Sequence, residues 1–242
     1  MLVVDIGNTS ISWGVEREGK LIKVFKTPAS QINLKKISKI TESFPYKEII
    51  VCSVVPRITL LFKKLKKNVF FVGKDLKVPI SCLYNRRQVG EDRLVAAFSA
   101  KIKSPSVRIV IDFGTAITFD FLSKKGEYLG GIILPGITLS YRTLSLNCAL
   151  LPKEIKMTKS PFIPKNTFQS INKGIVEGFS LIINSWVKKY RKKFRLKDKK
   201  ENVIVTGSDI GPIFKKLDFS FLHFPHLVLE GLISLGLSLI HI

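Results

Sequence analysis

Cysteine and histidine are scarce in this sequence, with three residues of each type among 242. Cys52, Cys82 and Cys148 lie far apart, and their odd number and spacing predict neither a disulfide framework nor a Cys-x-x-Cys metal site. Disulfide-rich and zinc-finger scaffolds are therefore excluded as classes. Free cysteines are typical of a reducing compartment, so we expect a cytoplasmic location.

A long apolar run is also lacking. The longest such stretch, residues 227–242, contains Glu230 and is shorter than the roughly 20 residues that span a bilayer. It predicts a buried terminal helix. Residues 1–7 have no basic region and include Asp5 within a short apolar stretch, which is not the pattern of a signal peptide. No membrane partner is expected.

Acidic residues are few, with 18 Asp and Glu against 40 Lys and Arg and a net charge of +22. Such an excess raises nucleic acid, an anionic membrane and anionic small molecules as partners. The densest run, residues 188–200, has nine basic residues in thirteen and predicts an exposed helix end followed by a loop. The other basic residues are spread along the chain without an RNA-binding, zinc-finger or basic-zipper signature. Nucleic acid is therefore not the expected partner.

The chain does contain one order of predicted elements that occurs twice. In the first copy, strands at residues 2–5, 10–15 and 21–26 precede a helix at 31–43, a strand at 48–53 and a helix after Pro56. In the second copy, strands at residues 107–112, 115–122 and 128–134 precede helices at 137–149 and 167–193 and a strand at 202–205. The copies begin alike, with VVDIGNT at residues 3–9 and VIDFGTA at 110–116. This repetition predicts a duplicated α/β domain with a boundary near residues 104–107.

Each copy places an aspartate, Asp5 or Asp112, directly before a glycine-containing turn. Glycine permits positive φ and close backbone approach, so amide N–H groups and the side chains of Asn8, Thr9 and Thr115 can face phosphate oxygens. At strand ends, the two aspartates can hold a cation or its water shell beside those phosphates. The same residues are also typical of an ordinary hairpin turn. Their occurrence at two corresponding positions favours the phosphate-binding interpretation.

A third motif, GEDR at residues 90–93, supplies groups that such turns lack. Gly90 permits a close turn, the Asp92 carboxylate can accept a hydroxyl proton during phosphoryl transfer, and Arg93 can bind an anion through its planar fork. An Asp-Arg pair at a helix start is equally typical of a cap and a surface ion pair. The segment gains a catalytic interpretation only from the motifs around it.

Together with three further stretches, these motifs resemble the type III pantothenate kinases, a family of the acetate and sugar kinase, Hsp70 and actin superfamily. The further stretches are SVVP at residues 53–56, GGIILPG at 130–136 and KNT at 165–167, and all the motifs follow the family's order. The resemblance implies two ribonuclease-H-like (actin-like ATPase) α/β domains, at residues 1–105 and 106–242. It also implies mixed five-stranded sheets and a cleft between the domains that binds ATP.

The resemblance further implies ATP-dependent phosphorylation of pantothenate to 4'-phosphopantothenate, the first step of coenzyme A biosynthesis. It implies a homodimer whose pantothenate pocket is completed across the subunit interface. Asp92 is then the proton acceptor, Asp112 holds a monovalent cation, K⁺ or NH₄⁺, and Mg²⁺ binds the ATP phosphates. The implied ATP-binding residues are Asp5, Ile6, Gly7, Asn8, Thr9, Ser10, Ile11, Ser12 and Thr115. The implied substrate-binding residues are Gly90, Glu91, Asp92, Arg93 and Thr167.

Three positions depart from the pattern of this family. Arg86 occupies the position at which the family commonly has Pro after Asn, and Tyr84 is displaced by one position from the family's Tyr. We therefore do not assign Tyr84 a substrate contact. Ser208 stands where a second Gly is usual, so we expect a slightly different turn after Gly207.

Two other functions are compatible with a nucleotide-binding duplicated domain. The first is a different small-molecule kinase of the superfamily, against which the GEDR segment argues. The second is a non-catalytic ATP-binding regulator associated with nucleic acid. The presence of Asp5, Asp92 and Asp112 favours catalysis over that second function.

Overall fold

The computed structural model describes residues 1–46, 48–154 and 160–240. In this part of the chain the strands are β1 (Leu2–Ile6), β2 (Ser10–Arg17), β3 (Lys20–Pro28), β4 (Glu48–Ser53), β5 (Asn68–Phe71), β6 (Ile109–Phe113), β7 (Ala116–Leu122), β8 (Tyr128–Pro135), β9 (Val203–Gly207) and β10 (Leu222–His223). The helices are α1 (Leu34–Glu42), α2 (Pro56–Phe62), α3 (Glu91–Lys103), α4 (Ile137–Asn147), α5 (Thr167–Asn172), α6 (Gly178–Phe194) and α7 (Leu227–Ile240). A π-helical turn, Lys173–Glu177, joins α5 to α6.

The strands form two five-stranded sheets with the same topology. The first has the order β3-β2-β1-β4-β5 and the second β8-β7-β6-β9-β10. In each sheet the central strand, β1 or β6, is antiparallel to the strand that follows it and parallel to β4 or β9. The register places Asp5 beside Cys52 and Asp112 beside Thr206, at equivalent positions. The predicted duplicated α/β fold with mixed five-stranded sheets is confirmed.

The first compact unit comprises residues 1–105, 122–130 and the described residues from His226 onward. Strands β1, β2 and β4 carry apolar side chains on both faces, because helices pack on each face of the sheet. On one face, Trp13 packs between Phe25 and Phe62, with ring centroids 5.8 and 5.7 Å apart. On the other face α7 packs on α3, where a Cβ atom at Gly231 would lie 2.8 Å from the Val95 side chain.

The second unit comprises residues 106–121 and 131–225. Its core is built from alternate side chains of β6, β7 and β9 packed against α4, α5 and α6. Ile183 and Val187, one turn apart on α6, are almost completely buried there. This spacing explains why the sequence from Thr167 onward reads as one long amphipathic helix.

The units differ from a simple division into residues 1–105 and 106–242 in two segments. Residues 122–130, which comprise the end of β7, the turn after it and the first three residues of β8, belong to the first unit, as does helix α7. Helix α7 joins it because its apolar side chains, such as Leu227 and Leu232, are buried against α3 and the first sheet. Residues 241 and 242 of the predicted terminal helix lie outside the described residues. None of the helices in the described ranges has the length and hydropathy of a membrane-spanning segment.

Candidate active site

The first Asp-Gly turn connects β1 to β2 at residues 7–9. The backbone N–H of Gly7 donates to the carbonyl of Ser10 at 3.1 Å, and the carbonyl of Thr9 accepts from Ala29 at 2.9 Å. These bonds fix the turn from within and from the end of β3. Asn8 and Thr9 are exposed, and Asp5 at the end of β1 is half-buried. The turn therefore presents polar groups to solvent from a rigid base, as a phosphate site requires.

Two of the predicted ATP contacts, Ile6 and Ile11, have side chains in the core of the first unit. Both are completely buried. Their alternation with half-buried Asp5, Ser10 and Ser12 follows the two faces of the strands. Any ligand contact of the two isoleucines can thus involve only their backbone atoms.

Cys52, on β4, links this turn to the GEDR segment. Its thiol is completely buried, and burial raises its pKa well above the ordinary value. The negative charges of Asp5, Asp92 and Glu91 raise the pKa of Cys52 further. Val54, two residues after Cys52, supplies the contact between the two segments: its N–H donates to the carbonyl of Ile6 at 3.1 Å, and a Cβ atom at Gly90 would lie 3.8 Å from its side chain. The structure brings the phosphate-type turn and the predicted proton acceptor into one neighbourhood.

Asp92 lies in the first turn of α3, after Gly90 at the helix N-cap. The backbone N–H of Arg93 donates to Asp92 Oδ1 at 2.9 Å. A Cβ atom at Gly90 would overlap that same oxygen. Burial raises the pKa of Asp92, an effect that the Arg93 N–H and the charge of Arg93 partly oppose. A carboxylate whose proton affinity is raised in this way is suited to accept a hydroxyl proton.

Arg93 packs against an aromatic pair that the motifs did not identify. Its guanidinium carbon lies 5.9 Å from the centroid of the Tyr128 ring, and Tyr128 is completely buried. Tyr84 meets Tyr128 edge to face at 6.4 Å, and a Cβ atom at Gly130 would lie 3.0 Å from the Tyr84 ring. Gly130, with φ of 124°, therefore admits Tyr84. In the sequence, only the glycines of the GGIILPG stretch indicate that another part of the chain packs closely here.

The second Asp-Gly turn lies between β6 and β7 in the second unit. The carbonyl of Thr115 accepts from the N–H of Gly136 at 2.9 Å, which fastens the exit of β8 onto the turn. Gly207 is the last residue of β9 and has a φ of 95°. It lies so near Asp112 that a Cβ atom at residue 207 would be 2.5 Å from Asp112 Oδ1. Gly136 thus lies against the backbone of exposed Thr115, and Gly207 lies against Asp112. The sequence motifs contain both glycines but do not predict these contacts.

Thr167 begins α5, where the Asn166 side chain caps the helix by accepting from the N–H of Gln169 at 3.0 Å. The threonine is exposed and lines an open groove of about 800 Å³. Apolar side chains of α4 and α5, including Leu144 and Ile171, form much of the groove. Such a groove suits a ligand with a polar end and an apolar body.

The predicted cation site at Asp112 would not be a cluster of acidic, histidine or cysteine side chains in the part of the chain that the structure describes. In the described ranges, no group of three or more His, Cys, Asp and Glu side chains could hold a metal ion. Asp112 would supply one carboxylate, beside the carbonyl of Phe113 that Gly207 also approaches. Oxygen ligands of this kind fit a weakly bound hard cation and do not fit zinc.

Comparison with known proteins gives a consistent assignment. The family model for type III pantothenate kinase matches residues 1–189. The type III pantothenate kinase of Persephonella marina is 36% identical over 248 residues, which cover 96% of each chain.

Solved structures resemble the fold over almost the whole chain. A protein from Campylobacter jejuni, assigned to the Baf family of transcriptional activators, matches over 100% of both chains with a TM-score of 0.63 and 21% identity. The ethanolamine utilization protein EutJ of Carboxydothermus hydrogenoformans matches 97% of this chain and 89% of its own, with a TM-score of 0.56 and 15% identity. At these identities the likeness concerns the fold alone. From its sequence match, this chain belongs to the type III pantothenate kinase family.

Proposed function

We propose that this protein transfers the γ-phosphoryl group of ATP to the terminal hydroxyl of pantothenate, forming 4'-phosphopantothenate in the first step of coenzyme A biosynthesis. One observation of the structure carries the proposal beyond family membership. The N–H of Val54, just after β4, donates to the carbonyl of Ile6 at 3.1 Å, and a Cβ atom at Gly90 would lie 3.8 Å from the Val54 side chain. A phosphate-type turn and a proton acceptor are therefore neighbours, as transfer to a hydroxyl requires.

Asp92 is the proposed proton acceptor. Its carboxylate takes the hydroxyl proton of pantothenate as the hydroxyl oxygen bonds to the γ-phosphorus and the bond from that phosphorus to the bridging oxygen breaks, leaving ADP. Burial raises the pKa of Asp92, so the carboxylate is a stronger base than an exposed aspartate. The bond that its Oδ1 accepts from the Arg93 N–H at 2.9 Å restrains its position.

ATP contacts are proposed along Asp5–Ser12 in the first unit and at Thr115 in the second. The turn between β1 and β2 offers exposed Asn8 and Thr9 beside its backbone, and Ile6 and Ile11 contribute backbone atoms only. When bound, Mg²⁺ and a monovalent cation neutralise phosphate charge. We assign the monovalent ion, K⁺ or NH₄⁺, to Asp112.

Pantothenate is proposed to contact Gly90–Arg93 and Thr167. The Arg93 fork suits the carboxylate of pantothenate, and its packing on Tyr128 restricts the directions in which it can point. Thr167 lies on the wall of a groove with polar and apolar parts, which fits a substrate of the same character. The three free cysteines are consistent with the proposed cytoplasmic location.

A homodimer is proposed because α6 exposes three large apolar side chains. Leu181 is 70% exposed, and Ile182 and Trp186 are each 40% exposed. They lie outside the face of the helix that buries Ile183 and Val187. Exposed large apolar side chains on one helix are typical of an interface, and a two-fold dimer would bury them on both copies.

The test is to incubate the purified protein with ATP, Mg²⁺, K⁺ and pantothenate and to follow ADP and phosphopantothenate together. The proposal expects equal amounts of both products. A panel of other small alcohols should give little ADP. Preference for another alcohol would indicate a different small-molecule kinase. Salt-sensitive DNA binding without turnover would indicate the non-catalytic regulator.

A further inference from the structure

Arg86 and Glu91 form a close ion pair beside the proposed catalytic aspartate. Arg86 Nη2 donates to both Oε1 and Oε2 of Glu91, each at 2.7 Å. The Arg86 side chain is 43% exposed and that of Glu91 only 20%. The pair joins the loop before α3 to the first turn of that helix.

Gly73 lies close to the same carboxylate. A Cβ atom at residue 73 would lie 2.5 Å from Glu91 Oε1 and 2.8 Å from its Cγ, and φ at Gly73 is 88°. The turn that contains Gly73 is itself rigid, because its N–H donates to Leu76 at 2.7 Å and the Asp75 carboxylate accepts from Phe71. Glu91 is therefore bound by Arg86 and packed on a hydrogen-bonded turn.

Arg86 itself lies in a tight turn. The N–H of Gln88 donates to the carbonyl of Asn85 at 2.9 Å, and the N–H of Arg87 donates to Asn85 Oδ1 at 3.2 Å. Arg86 is the second residue of this turn, a position at which Pro would fix φ in advance. Arginine gives no such restriction, so its side-chain bond to Glu91 adds a restraint on the loop to the two hydrogen bonds of Asn85.

These contacts restrain Glu91, which directly precedes Asp92. The N-cap of α3 is Gly90, which has no side chain to fasten the first turn. Movement of Glu91 would therefore move the Asp92 carboxylate, which lies over Gly90. A displacement of about 1 Å at a reacting group can reduce a rate on the order of 10²-fold.

We propose that Arg86 is a positioning residue, which holds Glu91 against Gly73 and so sets the place of the Asp92 carboxylate. This inference rests on the proposed function. Glu91 then acts through its contacts with the protein in addition to its proposed contact with pantothenate. Because the ion pair is partly exposed, its contribution to folding stability is small.

The test compares Arg86→Ala with Arg87→Ala, a matched control that removes the same charge from the neighbouring exposed residue. For Arg86→Ala we expect kcat to fall by about tenfold or more, with the KM for ATP changed by less than about twofold. Arg86→Lys should recover part of the loss. Arg86→Ala combined with Glu91→Gln should be no slower than the worse single variant, since both remove one interaction.

Salt supplies a second readout. At constant K⁺, raising tetramethylammonium chloride from about 0.05 to about 0.5 M should lower kcat of the unchanged protein more than that of Arg86→Ala. Equal kcat for Arg86→Ala and Arg87→Ala would overturn the inference, as would a loss that only follows the unfolded fraction measured by circular dichroism. Neither result touches the proposed function, which fails if the unchanged protein does not phosphorylate pantothenate.

Discussion

The carboxylate of Asp92 lies over Gly90, where a Cβ atom at residue 90 would overlap Oδ1. Gly90→Ala should therefore push the carboxylate away and lower kcat on the order of 10²-fold. Gly178→Ala is the matched control, because a Cβ atom there meets nothing within 4 Å and alanine favours a helix. Steady-state kinetics with melting curves separates the two variants. Equal kcat in both would show that the position of Asp92 is not critical.

The acid limb of the pH profile should reflect Asp92. Burial raises its pKa above the ordinary value of 3.8. Because the base must be unprotonated, kcat/KM should fall about tenfold per unit as pH decreases below that raised pKa, and stay level above it. The profile is measured between about pH 4 and 8 with viscosity controls. A limb centred at or below the ordinary value would show that the environment of Asp92 does not act in this way.

The cation proposed at Asp112 should be selective. Replacing K⁺ with Na⁺ or Li⁺ at constant ionic strength should reduce the rate markedly, because the family resemblance implies K⁺ or NH₄⁺ at this carboxylate. Asp112→Asn should weaken the dependence on K⁺ concentration. Equal rates in the three salts would remove the monovalent site from the account.

The basic run at residues 188–200 should be dispensable for catalysis. Changing Lys188, Lys189, Lys192 and Lys193 to Gln should leave kcat and the KM for pantothenate within about twofold, since all four are exposed. Arg191 must be kept, because it is buried and pairs with Asp198 at 2.7 Å. A tenfold loss would assign the run a part in ATP binding or dimer assembly.

Much of the fold follows from local patterns in the sequence. The strands β1 and β6 end in matching Asp-Gly turns, so the duplication can be predicted from these two motifs and the order of elements around them. The sequence does not predict the edge strands β5 and β10. With only four and two residues, they are too short to show the alternation of apolar and polar side chains that is typical of a strand. The apolar sequence of α7 predicted burial. It could not indicate that the helix packs in the first unit, which depends on tertiary contacts.

The candidate site was predictable where a residue type has its own chemistry, as for Asp92. The residues that surround such side chains and affect their pKa or position could not be predicted from the sequence. Cys52 lies beside Asp5 only through the parallel register of β1 and β4, and Tyr128 meets Arg93 only through the folding of distant segments. The contacts of Glu91 with Arg86 and Gly73 likewise bring together three segments of the chain. No local sequence pattern predicts that these segments meet.

The central claim is that Asp92 accepts the proton of pantothenate during phosphoryl transfer, and Asp92→Asn tests it most directly. Asparagine keeps the size and most hydrogen bonds of the site but cannot act as the base. We expect kcat to fall by roughly 10² to 10⁴, or about 3 to 5 kcal/mol in the barrier, while the dissociation constants of ATP and pantothenate change far less. If Asp92 only caps α3, asparagine should cap nearly as well. A folded Asp92→Asn variant with near-normal kcat would contradict the account.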